Sequence, residues 1–491
     1  MVSRSSGRAP LGPKCCECRD GLPGLWGPRL GRGWRLCPRK LCGHRIGRAS
    51  RTIVDNHGRC RRAGLGATTR AHRATYVATT LRASDHTSRP GAMCPGPSGR
   101  GGDGNGRFLV MRVLVVSTPG AGHVTPLVPI IGALLAGGDD VVVASGPEAA
   151  PIIEKSGARF ALAGRSQAEC MERLAARTRG NPGEGLAPER ILHYFLPRAF
   201  AEVGVDEMID DVLRHGQAFA PDFVLFEAFA LAGPLVAELL GVPAVGHMFG
   251  PLPPHETVEL ANDAVSQIWR SYGRDTPGWA GMYRHLTIEI CPPMLDTIHV
   301  PTGDTLRLRP VPLPIRAREA TSRPMVYVTF GTLFNANLDL FRLALAALAD
   351  ERVDVVMTVG RDVDPAELAP FPANARVERF IAQAELLPSC SVVVHHGGAG
   401  TMFGALAHGI PQVILPQGAD NYEHAAMCEQ AGMAITLRPG MVNPGNLAAA
   451  VRRAVLDETY ARSSRRCAAE IAAMPDAAAV ANTLRTWVQT A

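Results

Sequence analysis

Lysine is nearly missing from this 491-residue chain: Lys14, Lys40 and Lys155 stand beside 48 arginines, a skew that goes with a GC-rich genome rather than with a binding site. No run of roughly 18 uninterrupted apolar residues occurs, which excludes a multi-span membrane protein. No G-x-x-x-x-G-K-[ST] sequence is present, which argues against ATP chemistry, and the glycine-rich loops depart from the G-x-G-x-x-G spacing of a dinucleotide fingerprint. Repeats at solenoid periods are absent too. After residue 110 the cysteines are scattered singly, so nothing there resembles a disulfide framework, and that part reads as a reduced, cytoplasmic protein.

The chain is 46% hydrophobic and 20% charged, so disorder throughout is excluded, and its length suits two or three domains. The net charge of +6 is a sum of unlike pieces. Residues 1–110 hold 21 Lys and Arg against 5 Asp and Glu, whereas the remainder holds 30 against 40. The larger piece is therefore acidic, which speaks against nucleic acid or an anionic membrane as partner.

Residues 1–110 are rich in Gly, Arg, Pro and Ser and lack apolar periodicity, so they are expected to form a non-globular, disordered extension. Cys15-x-x-Cys18 with Cys37, Cys42 and His44 loosely resembles a zinc-ligand spacing, but too little apolar surface surrounds it to position the second pair. An Arg-rich transit peptide and a nucleic-acid arm are further readings. The favoured one is a true start at Met111, since Arg112-Val-Leu-Val-Val-Ser117 already forms a buried strand and no secretory apolar stretch precedes it.

From Met111 the pattern becomes regular, β-branched runs alternating with Ala- and Leu-rich helical stretches, as in parallel α/β architecture. Strands are expected at Val113 to Ser117, Val141 to Ser145, Phe223 to Glu227 and Ala244 to Met248, with helices near Leu127 to Leu135 and Leu231 to Leu240. A second series begins at Met325 to Phe330 and continues through Val353 to Val359, Val392 to His395 and Gln412 to Leu415. Two Rossmann-like domains are thus expected at 111–305 and 325–475, joined by a Pro- and Arg-rich linker at 306–324. A final helical segment at 476–491 is expected to return to the N-terminal domain.

Two loops carry chemistry. Thr118-Pro-Gly-Ala-Gly-His123 leaves the first strand for a helix, and ligands of open α/β sheets sit at that edge, so His123 is a candidate base. The loop Cys390-Ser-Val-Val-Val-His395-His396-Gly397-Gly398-Ala-Gly400-Thr401 enters a helix at Met402 to His408. Exposed N–H groups and the helix dipole there favour a phosphate without lysine or metal. No Asp-x-Asp sequence suited to a divalent ion lies near these loops, so no metal and no cofactor is expected.

These motifs resemble the inverting, nucleotide-sugar-dependent glycosyltransferases of family 1, in the GT-B fold, especially those of actinobacterial antibiotic biosynthesis. The resemblance covers nearly all of residues 111–491 and is clearest in Gly122-His123-Val-Thr-Pro126 and from His395 to Asn421. It implies that His123 deprotonates an acceptor hydroxyl and that His396 and Thr401, within the His395 to Thr401 loop, bind the donor diphosphate. Gly331-Thr332 matches another phosphate-touching loop, Phe380 the base-stacking position, and Gln383 a nucleoside contact. Asp420 and Asn421 match a pair that holds donor-sugar hydroxyls, with Asn standing for a longer Gln.

Two departures matter. The family orients its histidine with Asp, but here Pro221-Asp-Phe-Val-Leu-Phe-Glu227 ends in Glu, which either partners His123 or caps the next helix. Gly404 stands where uridine-diphosphate users carry Glu against the ribose, which fits a thymidine-diphosphate donor. The expected partners are a nucleoside-diphosphate sugar and a small hydrophobic acceptor, with no nucleic acid and no stable membrane insertion; a homodimer is compatible. The segments Ile191 to Phe195 and Trp269 to Met282 read either as an apolar acceptor wall or as helix core. Rival readings are a lipid- or sterol-directed UDP-sugar glycosyltransferase and a catalytically silent nucleotide-sugar-binding homologue.

Overall fold

Short runs such as Val113 to Val116 and Val392 to Val394 are buried throughout their length, as strands covered on both faces must be. In a computed structural model, which describes residues 110–490 apart from 179–181, 188–189, 296–302, 312–321, 332–336 and 361–362, they form two parallel sheets flanked by helices. The N-terminal segment with its candidate zinc cysteines lies outside the described residues, as does most of the expected linker.

The first sheet has the order β3-β2-β1-β4-β5-β6-β7. Its strands are β1 (Arg112–Val116), β2 (Asp140–Ser145), β3 (Arg159–Leu162), β4 (Phe223–Glu227), β5 (Ala244–His247), β6 (Leu286–Glu289) and β7 (Asp304–Arg307). The second sheet has the order β10-β9-β8-β11-β12-β13. It comprises β8 (Met325–Thr329), β9 (Asp354–Thr358), β10 (Ala375–Glu378), β11 (Val392–His395), β12 (Gln412–Ile414) and β13 (Ala434–Thr436).

Every strand expected from the sequence is present within a residue or two. Missing from that reading are β6 and the edge strands β3, β7, β10 and β13, which are short and, at β3 and β7, largely solvent-facing. Because β7 pairs with β6 from Leu286↔Asp304 to Glu289↔Arg307, the first sheet runs past the boundary expected at residue 305. Asp304 and Thr305 are exposed on this strand while Arg307 donates to the carbonyl oxygen of Cys291, so polar composition there marks an edge rather than a linker.

Among the ties between the halves, two involve arginine. After β7, Arg309 donates to the carbonyl oxygens of Ile471, Ala472 and Met474 at the end of the helix Glu458–Ala473. The last helix, Ala477–Val488, packs on Val128–Ala136 of the first domain, where Arg485 Nη2 meets Asp139 Oδ2 at 2.6 Å with both side chains at most 5% exposed. Removing one member would strand a buried charge. Arg485→Ala is expected to lower unfolding stability by about 3–5 kcal/mol, read as a fall in Tm against the wild-type chain.

One helical irregularity shapes the cleft. Between the helices Ile191–Phe195 and Val205–Phe219 the turns of Leu196–Gly204 widen to a π-helix. This segment buries Leu196, Ala201 and Val203 while Phe200 reaches the cleft. Such insertions re-aim side chains at functional sites.

Candidate active site

The carboxyl ends of β1 and β4 are neighbours, because the two strands pair in parallel up to Val116↔Phe226. That register sets the loop after β1 beside Glu227. His123, in the one-turn helix Ala121–Val124, lies with Nδ1 3.0 Å from Glu227 Oε1. The carboxylate is fully buried, and it also accepts from Phe229 N at 2.8 Å and from the Thr118 hydroxyl at 3.0 Å. The next helix, Ala232–Leu240, starts from Leu231 with no side-chain cap, so Glu227 does not cap it. Of the two readings left open, the partner to His123 is the one the fold adopts.

Burial acts to lower the His123 pKa, but the Glu227 charge and hydrogen bond, with a further contribution from Asp420, outweigh it and hold the imidazole above its usual value. For Glu227, burial acts upward and is outweighed by His123, Phe229 N–H and Thr118, which leaves the carboxyl below its usual range. His247 stands in register with Glu227 on β5, and burial pushes it down to about 4, so it brings no competing cation. The imidazole of His123 is ringed by Phe249, Phe200 and Phe229, with ring centroids at 4.7, 5.6 and 5.9 Å.

Across the cleft, β11 ends at His395 and the chain turns into the helix Ala399–Ala407, which begins three residues before the expected start. Gly398 is its N-cap and makes no side-chain cap bond, and the first turn holds no acidic residue, so its amide N–H groups face an incoming anion unopposed. Thr401 Oγ1 accepts from Gln383 Nε2 at 3.0 Å, which leaves its own proton to donate.

Glycine is required here by geometry. At Gly397 the φ of +103° is left-handed, and a Cβ would lie 2.9 Å from Asn421 O; at Gly331 a Cβ would come within 2.5 Å of the His396 ring. Burial pushes His396 down to about 4, so at neutral pH it is an uncharged N–H donor.

The structure brings His123, Gln383, His396, Gly398, Gly400, Thr401, Asp420 and Asn421 to the walls of one cleft of about 700 Å³. Three residues expected at the donor site stand elsewhere. His395 is buried behind the loop, its Nε2 2.7 Å from Gln412 Oε1 and its Nδ1 accepting from Gly397 N at 3.1 Å, so it shapes the turn from inside. Gly397 likewise lies behind the lining, and Phe380 is 59% exposed and outside the cleft wall. Thr332 lies outside the described residues, although its neighbour Gly331 lines the cleft.

Among the described residues, no group of three or more His, Cys, Asp or Glu could hold a metal ion. The Asp-x-Asp pair that the chain carries, Asp362-Val-Asp364, has Asp364 engaged locally: it accepts from Ala366 N at 3.1 Å and faces Arg379 at 3.3 Å.

The family model described as the erythromycin biosynthesis protein CIII-like C-terminal domain matches residues 342–486. The L-demethylnoviosyl transferase of Streptomyces niveus is 30% identical over 388 residues, which cover 76% of this chain and 97% of that protein. The chain belongs to the family 1 glycosyltransferases of actinobacterial antibiotic biosynthesis. Its fold is GT-B. The thymidine-diphosphate complex of SsfS6 from Streptomyces sp. SF2575 aligns with a TM-score of 0.62 and 29% identity, over 77% of this chain and 99% of that one. The spinosyn rhamnosyltransferase SpnG with spinosyn aglycone aligns at 0.63 and 27%, over 76% and 100%.

Several residues of this glycosyltransferase's cleft escaped the sequence reading. Phe200, Phe229 and Phe249 come from the π-helix, the loop after β4 and the loop after β5, and share no spacing. Of the two segments left open as acceptor wall or core, Ile191, Leu192 and Phe195 line the cleft, whereas Trp269 and Met282 are buried in the first domain's core. No helix among the described residues is long and apolar enough to cross a membrane.

Proposed function

We propose that this glycosyltransferase moves a sugar, with inversion, from a thymidine-diphosphate donor to a hydroxyl of a small hydrophobic natural product. The observation that carries the reading is the shared cleft, with His123, backed by the buried Glu227, and the uncapped helix N-terminus at Gly398 both on its walls.

In the reaction His123 Nε2 takes the acceptor proton as the acceptor oxygen attacks the anomeric carbon. The bond from that carbon to the phosphate oxygen breaks, and its electron pair leaves with the diphosphate. Glu227 keeps Nδ1 protonated, so Nε2 is the basic nitrogen, and its negative charge stabilises the imidazolium that forms. The N–H groups of Ala399 to Thr401, His396 and the Thr401 hydroxyl meet the charge that develops on the leaving group. Asp420 and Asn421 are assigned to the sugar hydroxyls and Gln383 to the nucleoside.

The thymidine form is supported at Gly404. A Cβ there would stand 3.1 Å from Leu387 Cδ1 and 3.4 Å from Gln383 Oε1, so a longer side chain at this position would crowd both, and the glycine itself supplies no carboxylate to a ribose. A deoxyribose has no 2′-hydroxyl to require that acceptor. SsfS6 and SpnG have both been crystallised with thymidine diphosphate. For the acceptor, Met171, Phe195, Phe200, Met208, Phe229 and Phe249 provide an apolar wall of a size suited to a polycyclic or macrocyclic hydroxyl compound. The five described cysteines are unbridged, which suits a reducing cytoplasm.

Titration of the full chain with dTDP and UDP, followed by a panel of their sugars with and without hydrophobic acceptors, tests the reading. Tighter dTDP binding and acceptor-dependent release of dTDP are expected. Tighter UDP binding overturns the donor assignment, and nucleotide release that ignores every acceptor overturns transfer.

A further inference from the structure

The helix Asn421–Gln430 carries a histidine that the mechanism leaves unused. His424 is 1% exposed, and its Nδ1 lies 2.7 Å from the carbonyl oxygen of Gly397 in the phosphate loop. A carbonyl only accepts, so Nδ1 carries the proton. On the other side of the ring, Nε2 is 3.5 Å from Asp420 Oδ2, while Asp420 Oδ1 is 3.4 Å from Asn421 Nδ2. Asp420 Oδ1 thus accepts from Asn421, and Oδ2 lies at ion-pair distance from the His424 ring.

The first domain closes the third side. Gly250, in the loop after β5, approaches so closely that a Cβ there would lie 3.1 Å from His424 Nε2 and 3.9 Å from Ala399 Cβ. One buried imidazole therefore touches the phosphate loop, the carboxylate at the cleft and the opposing domain. Filling that volume alone would not call for a polar ring, since burying one without use is unfavourable.

We infer that His424 is a positioning residue for the donor sugar, holding the Asp420 carboxylate at a set distance from the Gly397 peptide. The inference rests on the assignment of Asp420 to the sugar. A hydroxyl donating to Asp420 meets a carboxylate that is already oriented, so less freedom is lost on binding. The diphosphate is held mainly by amide groups and needs His424 less.

The test compares the Kd of dTDP-glucose with that of dTDP for the full chain and its variants, using the ratio of the two as readout. His424→Leu is expected to raise the ratio about tenfold while dTDP affinity stays within a few-fold, which also shows that the variant is folded. Two conservative variants separate the bonds: His424→Gln keeps an N–H near the Nε2 position, and His424→Asn keeps one near Nδ1. The glutamine variant should restore most of the ratio and the asparagine variant should not. A ratio unmoved by His424→Leu, or moved equally by Gln and Asn, overturns the inference. If Asp420→Ala leaves the ratio at the wild-type value, the sugar assignment itself falls; if Asp420→Ala raises it and His424→Leu does not, only the role of His424 falls.

Discussion

His123→Ala is expected to lower turnover by about 10²–10⁴-fold while dTDP affinity changes only a few-fold. The asymmetry follows from placement. His123 sits on the first domain, ringed by Phe200, Phe229 and Phe249, whereas the groups proposed to bind the diphosphate belong to the loop after β11 and the helix it enters. Removing the imidazole takes away the proton acceptor and leaves the anion site whole. Single-turnover rates beside dTDP titrations make the measurement. Retained turnover, or loss of both properties together, would remove His123 from the role of base.

Glu227→Gln should be nearly as damaging, by about 10²–10⁴-fold, for a different reason. Gln presents either an amide nitrogen or a neutral oxygen to Nδ1, so the tautomer with a basic Nε2 is no longer enforced and the imidazolium loses its counter-charge. The pH profile distinguishes this from a packing defect. A general base works unprotonated, so wild-type kcat/KM falls as pH drops through the His123 pKa, which lies above the ordinary histidine value. In Glu227→Gln the burial that lowers this pKa is no longer outweighed by a carboxylate at 3.0 Å. The acid limb should therefore move to lower pH even as the plateau falls. A limb that stays in place would mean that Glu227 does not set the charge state of His123.

The fold was legible wherever burial is continuous. Val113 to Val116, Phe223 to Phe226 and Val392 to Val394 are apolar runs because helices cover both faces of their sheets, and hydrophobicity then reads out directly. The edge strands were not legible. Asp304–Arg307 in β7 shows water one side, so its residues resemble linker residues and only pairing with β6 makes them a strand. The loop motifs likewise announced themselves, since glycine at Gly331 and Gly397 is required by close approach of His396 and Asn421.

What lay beyond the sequence are relations between residues far apart in the chain. That Glu227 partners His123 rather than capping a helix depends on β1 and β4 being adjacent and on Leu231 starting the following helix without it. His395 and His396 are consecutive, yet the turn at Gly397 sends one to Gln412 behind the loop and the other to the cleft. By itself the sequence determined the two-domain α/β class, the glycine-rich turn into the helix and the candidate base, because strand burial and turn chemistry are local properties. Only the tertiary structure decided the partner of that base, the phenylalanine cage around it and the contacts of His424, because a hydrogen bond or a ring contact depends on which chain segments the sheet order brings side by side.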